Sequence, residues 1–280
     1  MKALIIILIV LAALFVLTFC IYFFNLDMKL VRKIYDALGK HYDPFQANHN
    51  DRLIGQIKNL LPENGKRFSY SEPTLKIKKD NSILLLKETA YELGGSQKPC
   101  VSTVAVSGSM KFDNCTYLYG KDIPEIRSDC CFGKIVFLEI EDIGEEQSAF
   151  NKIKELERLK YSFCPEGFMT RASAFNMREQ IRVSKKAVKN GVTFSDYGSS
   201  LIKAYLEFPA VKSVQIIFIT DFDRFDELGM ICDKVRQTTD ALNHILDNVL
   251  LDCNTCNLKS ICDEVEGMKE LHMKNAAKKQ

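Results

Sequence analysis

No tryptophan occurs in this chain of 280 residues, histidine occurs four times, and neither sign of charge dominates. The 38 Lys and Arg face 36 Asp and Glu, a formal net charge of +2. So small an excess lacks the basic footprint of a nucleic-acid binder, and no nucleic-acid partner is expected. The histidines (His41, His49, His244 and His272) are scattered, which puts histidine-based catalytic constellations out of easy reach. Internal repeats and low-complexity tracts are missing too. What is left is a globular composition, long enough for a real core.

Cysteine, by contrast, is plentiful. Three of the ten fall in one short stretch, Cys253 and Cys256 as a Cys-x2-Cys pair and Cys262 after them. The spacing lets two thiolates approach one metal centre and a third close around it. Mostly polar residues lie between them, as in a loop that wraps something. Soft thiolates suit an iron–sulfur cluster and zinc alike. A three-cysteine 4Fe-4S cubane would leave one iron open to another ligand. A closed zinc site takes four ligands, and His272 could complete one if the chain folds back after Cys262. A third reading has no metal. Cys100, Cys115, Cys130, Cys131, Cys164 and Cys232 lack chelating spacing and read mainly as small buried hydrophobes.

Ala3 to Phe24 is an apolar run in which Thr18, Cys20 and Tyr22 are the weakly polar positions. It is long enough to cross a hydrocarbon core of roughly 30 Å as a helix. It ends in Ile21-Tyr22-Phe23-Phe24, without the small-residue site of a cleaved signal peptide. The reading is an uncleaved N-terminal transmembrane helix in the cytoplasmic membrane. Lys29, Arg32, Lys33 and Lys40 follow it, with Lys2 before it, which favours a cytoplasmic C-terminal body. Thiolate metal sites also persist best in a reducing compartment. The alternative is an exported disulfide protein, though disulfide-dense scaffolds are usually far smaller.

The expected organisation is an anchor over 1–26, a helical linker over 27–65, an α/β domain over 66–250 and a cysteine-rich metal-binding tail over 251–280. Within the linker, Met28 to Leu38 has helical spacing, and Asn50-Asp51 could cap a helix reaching Leu61 before Pro62. Strands are expected at Ser82–Leu86, Val101–Val106, Ile135–Ile140 and, most clearly, Val214–Thr220. Helices are expected over Glu145–Leu159, Met177–Ala187, Ser199–Glu207 and from Asp223 to about Leu250. The fold class is α/β, with α+β as the alternative, in a single mixed domain.

From about Leu93 the sequence resembles the middle domain of the acetyl-CoA synthase (β) subunit of carbon monoxide dehydrogenase/acetyl-CoA synthase complexes. The likeness rests on Gly94-Gly95 with Pro99, on Gly120-Lys121-Asp122-Ile123 and on Gln147 to Phe150. It is densest at Arg182-Val183-Ser184-Lys185, Ala187-Val188, Gly191, Phe194 and Tyr197-Gly198. Phe208-Pro209, Val214-Gln215 and Thr220-Asp221 continue it into the Cys-x2-Cys pair. The resemblance implies an iron–sulfur cluster with Cys253, Cys256 and Cys262 as ligands. It also implies a partner of carbon monoxide dehydrogenase type, and coenzyme A contacts in the neighbourhood of Arg171, Arg178 and Arg182, with Lys185 taken as a further basic contact. Two features depart from the family: no Cys-Gly-Cys for nickel occurs, and no tryptophan stands near those arginines.

Three groups have plainer readings beside the functional ones. Asp221, Asp223, Asp226 and Glu227 could serve a crevice at the sheet end. They also suit the positive start of a helix. Asp263, Glu264 and Glu266 could tune a cluster or begin a helix. Arg182, Lys185, Lys186 and Lys189 could meet the phosphates of coenzyme A or form a solvated helix face. The leading reading is a membrane-anchored iron–sulfur relative of the β subunit with an accessory, electron-transfer or docking role. The alternatives are a component of CO-methylating acetyl-CoA synthase and a zinc-binding structural membrane adaptor.

Overall fold

The computed structural model describes residues 50–79, 85–93, 101–121, 123–130, 132–141, 146–172, 179–220 and 223–246. The chain divides into two compact units, Met1–Phe45 and Gln46–Gln280. All of the described residues lie in the second. Among them, no helix is long and apolar enough to cross a membrane; Ala3 to Phe24 lies outside them.

The centre is a mixed five-stranded sheet in the order β1-β5-β10-β6-β4. Its strands are β1 (Lys66–Ser69), β4 (Ser102–Ser107), β5 (Cys115–Gly120), β6 (Phe132–Ile140) and β10 (Val211–Thr220). β5 runs parallel to β10 and β4 parallel to β6, while β10 and β6 are antiparallel. β6 and β10 are apolar almost throughout because both faces of the sheet are covered. Phe132, Val136 and Leu138 enter one core, with Ile216 and Phe218 beside them. Ile135 and Phe137 enter the other with Ile217 and Ile219.

Helix α1 (residues 50–60) and helix α5 (Phe225–Leu246) line the second core through Leu53, Ile54, Ile57, Leu228, Cys232 and Val235. On the first face lie α2 (Glu146–Ser162) and α4 (Phe194–Leu206). With them packs a small antiparallel sheet of β3 (Ala90–Glu92), β9 (Glu179–Ser184) and β8 (Phe168–Ala172). A two-stranded sheet joins β2 (Ile77–Lys79) to β7 (Phe163–Pro165).

α4 opens with a capping box. The Thr193 hydroxyl accepts from the Asp196 amide at 3.0 Å, and the Asp196 carboxylate accepts from the Thr193 amide at 3.1 Å. Gly198 then brings the helix onto β5, where a Cβ would meet Thr116 Oγ1 at 2.1 Å. Tyr197 stacks on Phe168 with ring centres 4.0 Å apart.

The expected helix over Met177–Ala187 is corrected. Glu179–Ser184 is a strand, and the helix is only the short α3 (Lys185–Lys189), capped by Ser184. Ile181 and Val183 alternate into the core, and β9 pairs on both edges, with β3 and β8. That pairing outweighs the helical propensity of its Arg, Gln and Lys neighbours. Leu85 and Leu86 are not in a strand, and residues 82–84 lie outside the described set. The other described expectations hold within about three residues at their described ends, except that α4 starts five residues before Ser199; β10 starts three before Val214.

Candidate functional site

The parallel strands β5 and β10 end side by side at Gly120 and Thr220. Gly120 has φ +101, and its open side faces the Thr220 carbonyl. The Thr220 hydroxyl donates to Lys121 O at 3.0 Å, tying the next turn of chain to the strand end. Beyond it, the Ile126 amide donates to Val192 O at 2.8 Å and the Phe194 amide to Pro124 O at 3.3 Å. Gly120-Lys121, Gly191, Phe194 and Thr220, which carry the resemblance, therefore meet at one end of the sheet. The carboxyl ends of parallel strands are a common seat for ligands in α/β proteins.

At that end, Asp226 and Glu227 lie exposed in the first turn of α5, and Arg224 Nε donates to Glu227 Oε2 at 2.7 Å. Their geometry is that of ordinary helix-start residues. Asp221 lies outside the described residues.

Behind the strand ends is a group of buried charges that the sequence did not announce. Lys134 in β6, Lys160 at the end of α2 and Glu179 at the start of β9 are 2%, 3% and 5% exposed. Lys160 Nζ lies 2.9 Å from Glu179 Oε1 and 3.4 Å from Glu157 Oε1. The Glu179 carboxylate thus meets the Lys160 ammonium as a buried ion pair, with the Ser102 hydroxyl facing it as well. Lys134 Nζ donates to Thr170 Oγ1 at 3.4 Å. Burial opposes ionisation of Glu179, but Lys160 and then Lys134 outweigh it and hold the carboxyl below the usual carboxylate range. Burial likewise disfavours the Lys160 ammonium, and Glu179 and then Glu157 overcome it, raising that pKa. The one signal in the sequence is a lone lysine inside the apolar run Phe132-Gly133-Lys134-Ile135-Val136-Phe137.

Arg182 and Lys185 occupy different environments. Arg182 is buried in β9; its Nε and Nη2 donate to Glu92 Oε2 at 3.3 and 3.2 Å, and its Nη1 to Leu85 O at 2.8 Å. Lys185 is exposed at the start of α3, with Nζ 5.8 Å from the centre of the Tyr91 ring. Arg178, Cys253, Cys256 and Cys262 lie outside the described residues. Among the described residues, no three His, Cys, Asp or Glu side chains gather as a metal site. Cys115, Cys130, Cys164 and Cys232 are buried, in keeping with core packing.

No curated protein matches the chain. Residues 83–225 match the family described as CdhC, the CO dehydrogenase/acetyl-CoA synthase complex beta subunit. The match takes in four of the five central strands, the buried charges and the strand ends at Gly120 and Thr220. Covering just over half of the chain, it places this protein in the CO dehydrogenase/acetyl-CoA synthase complex beta subunit family.

Proposed function

We propose that this protein is a membrane-anchored, cytoplasm-facing member of the beta-subunit family that holds an iron–sulfur cluster on Cys253, Cys256 and Cys262. Its role is accessory to CO and acetyl-CoA metabolism, as an electron-transfer or docking component for a carbon monoxide dehydrogenase-type partner. The observation that carries this reading is connectivity. A chain whose body matches the family continues from α5, and Cys253 follows Leu246 by seven residues. The donor set of three soft thiolates with a Cys-x2-Cys pair suits a cubane cluster, which would supply one-electron chemistry. The anchor in this reading is Ala3 to Phe24.

For coenzyme A, the side chains differ in what they can offer. The Arg182 guanidinium is committed to Glu92 and Leu85, whereas Lys185 stands exposed. A coenzyme A contact in this protein is therefore assigned first to Lys185, with Arg178, seven residues before it, as the second candidate.

The second reading is a component of CO-methylating acetyl-CoA synthase, with nickel held by a partner; family membership favours it.

The test is metal analysis with visible and electron-paramagnetic spectra on the full chain, purified anaerobically in detergent. About four irons per chain with a broad absorption that bleaches on reduction supports the cubane. Nickel with acetyl transfer to coenzyme A supports the second reading. Zinc alone, without colour, overturns both in favour of a structural adaptor. Full iron content in the Cys253→Ser/Cys256→Ser/Cys262→Ser variant overturns the ligand assignment.

A further inference from the structure

We propose that Glu179, paired with Lys160, is a register lock that seats the β8–β9 pair on the central sheet and so fixes where Arg182 and Lys185 stand. This inference is independent of any metal at the cysteines.

β9 presents Glu179, Ile181 and Val183 to one side, because side chains alternate along a strand. Ile181 and Val183 are both fully buried. A two-residue slide of β9 against β8 would keep that face inward and replace one apolar side chain by another. Hydrophobic patterning alone therefore specifies this register weakly. Glu179 breaks the degeneracy. In the observed register Ala172 faces Glu179 and Thr170 faces Ile181. The carboxylate then meets an ammonium from α2 at 2.9 Å, while the ammonium from β6 reaches Thr170 on β8 at 3.4 Å. A slide of β9 would take the carboxylate away from Lys160 and put an aliphatic side chain in its place, leaving that buried ammonium with Glu157 alone. Removing one partner of a buried charge pair is strongly unfavourable, so the wrong registers are penalised.

The opposite face of β9 carries a second pin. Arg182 pairs with Glu92 across β3 and β9, where Glu92 faces Arg182 in the ladder. Ser184, two residues further, caps α3, whose first residue is Lys185. A shift at Glu179 is therefore carried along one rigid strand to the two cations.

Such a lock differs from a simple stabilising contact. Buried ion pairs replaced together by apolar side chains of similar volume are often neutral or stabilising, and what is lost is uniqueness of structure.

The test uses the full chain with Glu179→Gln, Glu179→Asp and the double variant Lys160→Met/Glu179→Leu. Amide hydrogen exchange is followed in peptides covering 168–184 and, for comparison, 211–220, together with the thermal midpoint. The double variant is expected to keep its midpoint while exchange in 168–184 quickens by about tenfold or more and 211–220 holds. Glu179→Asp, which keeps the charge, is expected to restore much of the protection lost in Glu179→Gln. Three results overturn the proposal: wild-type exchange throughout in the double variant, an equal rise in both regions, or failure of the double variant to fold. The last would make the pair an energetic necessity instead of a positional one.

Discussion

A β-carbon at Gly120 would lie 1.4 Å from the carbonyl oxygen of Thr220, the residue directly across the parallel ladder. The backbone at Gly120 has φ +101, a conformation that side chains resist on their own account. Strain and clash therefore coincide at the point where β5 and β10 end together. Gly120→Ala is expected to cost more than about 4 kcal/mol, because the obstacle is backbone and cannot turn aside. Gly55, inside α1, is the contrast, since a β-carbon there would meet nothing within 4 Å. Gly55→Ala is expected to stabilise by about 0.5–1 kcal/mol, as glycine in a helix interior carries an entropic cost. Urea unfolding of the two variants should move the midpoint in opposite directions.

Glu179 makes acid stability a local matter. Its carboxyl is held below the usual range by Lys160 and Lys134 against the effect of burial. A carboxyl depressed on folding adds stability above its unfolded pKa of about 4.3, and that stability is lost as pH falls through the lower folded value. Lys160, raised on folding, adds stability below its unfolded pKa of about 10.4 and loses it only as pH rises further. Both contributions are complete across neutral pH. Glu179→Gln is expected to cost about 3 kcal/mol at pH 7, since it removes the closer partner of the buried Lys160 ammonium and leaves it Glu157. It should also flatten the fall in urea midpoint below about pH 4. An unchanged acid slope would show that other carboxylates carry that fall.

Much of the framework is legible in the sequence because it is locally encoded. Val-Gln-Ile-Ile-Phe-Ile-Thr reads as a strand in isolation, and it forms most of β10. Pro62 follows the end of α1 at residue 60 as a stop signal does. β5 gives no such signal although it sits inside the sheet. Its six residues follow Asn114, at φ +47, and carry a cysteine, a threonine and two tyrosines with one leucine. Their burial comes from pairing with β1 and β10, which are distant in sequence. β9 reads as a helix for the same reason, as its two neighbours in the small sheet decide its conformation. The charge group is hidden more deeply. Lys134, Lys160, Thr170 and Glu179 come from β6, α2, β8 and β9, and no spacing rule links them.

The start of α4 offers a cleaner measurement of local encoding. Thr193 and Asp196 satisfy each other's backbone amides, and the Thr193 hydroxyl lies 2.6 Å from Asp196 Oδ2. Thr193→Ala is expected to cost about 1 kcal/mol, in the range for loss of a capping side chain. Thr193→Ser, which keeps the hydroxyl, should recover most of it. Equal losses in the two variants would assign the effect to the methyl group and its packing.

Asp113 joins three side chains of different chemistry, and it adds to the effect of burial on the Cys115 thiol. It accepts from Cys115 Sγ at 2.8 Å, Tyr117 OH at 3.0 Å and Arg67 Nε at 3.2 Å. Burial first, and then the Asp113 carboxylate, push the Cys115 thiol up to about 11. Cys115 is also fully buried, so a thiol reagent near neutral pH meets neither thiolate nor access. Asp113→Asn removes a negative neighbour and leaves burial in place. The Cys115 pKa should therefore fall from about 11 but stay above the usual thiol value. The sign for stability follows directly. A thiol raised on folding contributes fully below its unfolded pKa of about 8.5 and loses that contribution as pH climbs towards the folded value. In Asp113→Asn the alkaline loss of stability through Cys115 should be smaller than in the parent chain. Ultraviolet titration of the thiolate, with urea midpoints at matching pH, checks both. A parent-like thiol pKa in the variant would leave burial as the whole cause.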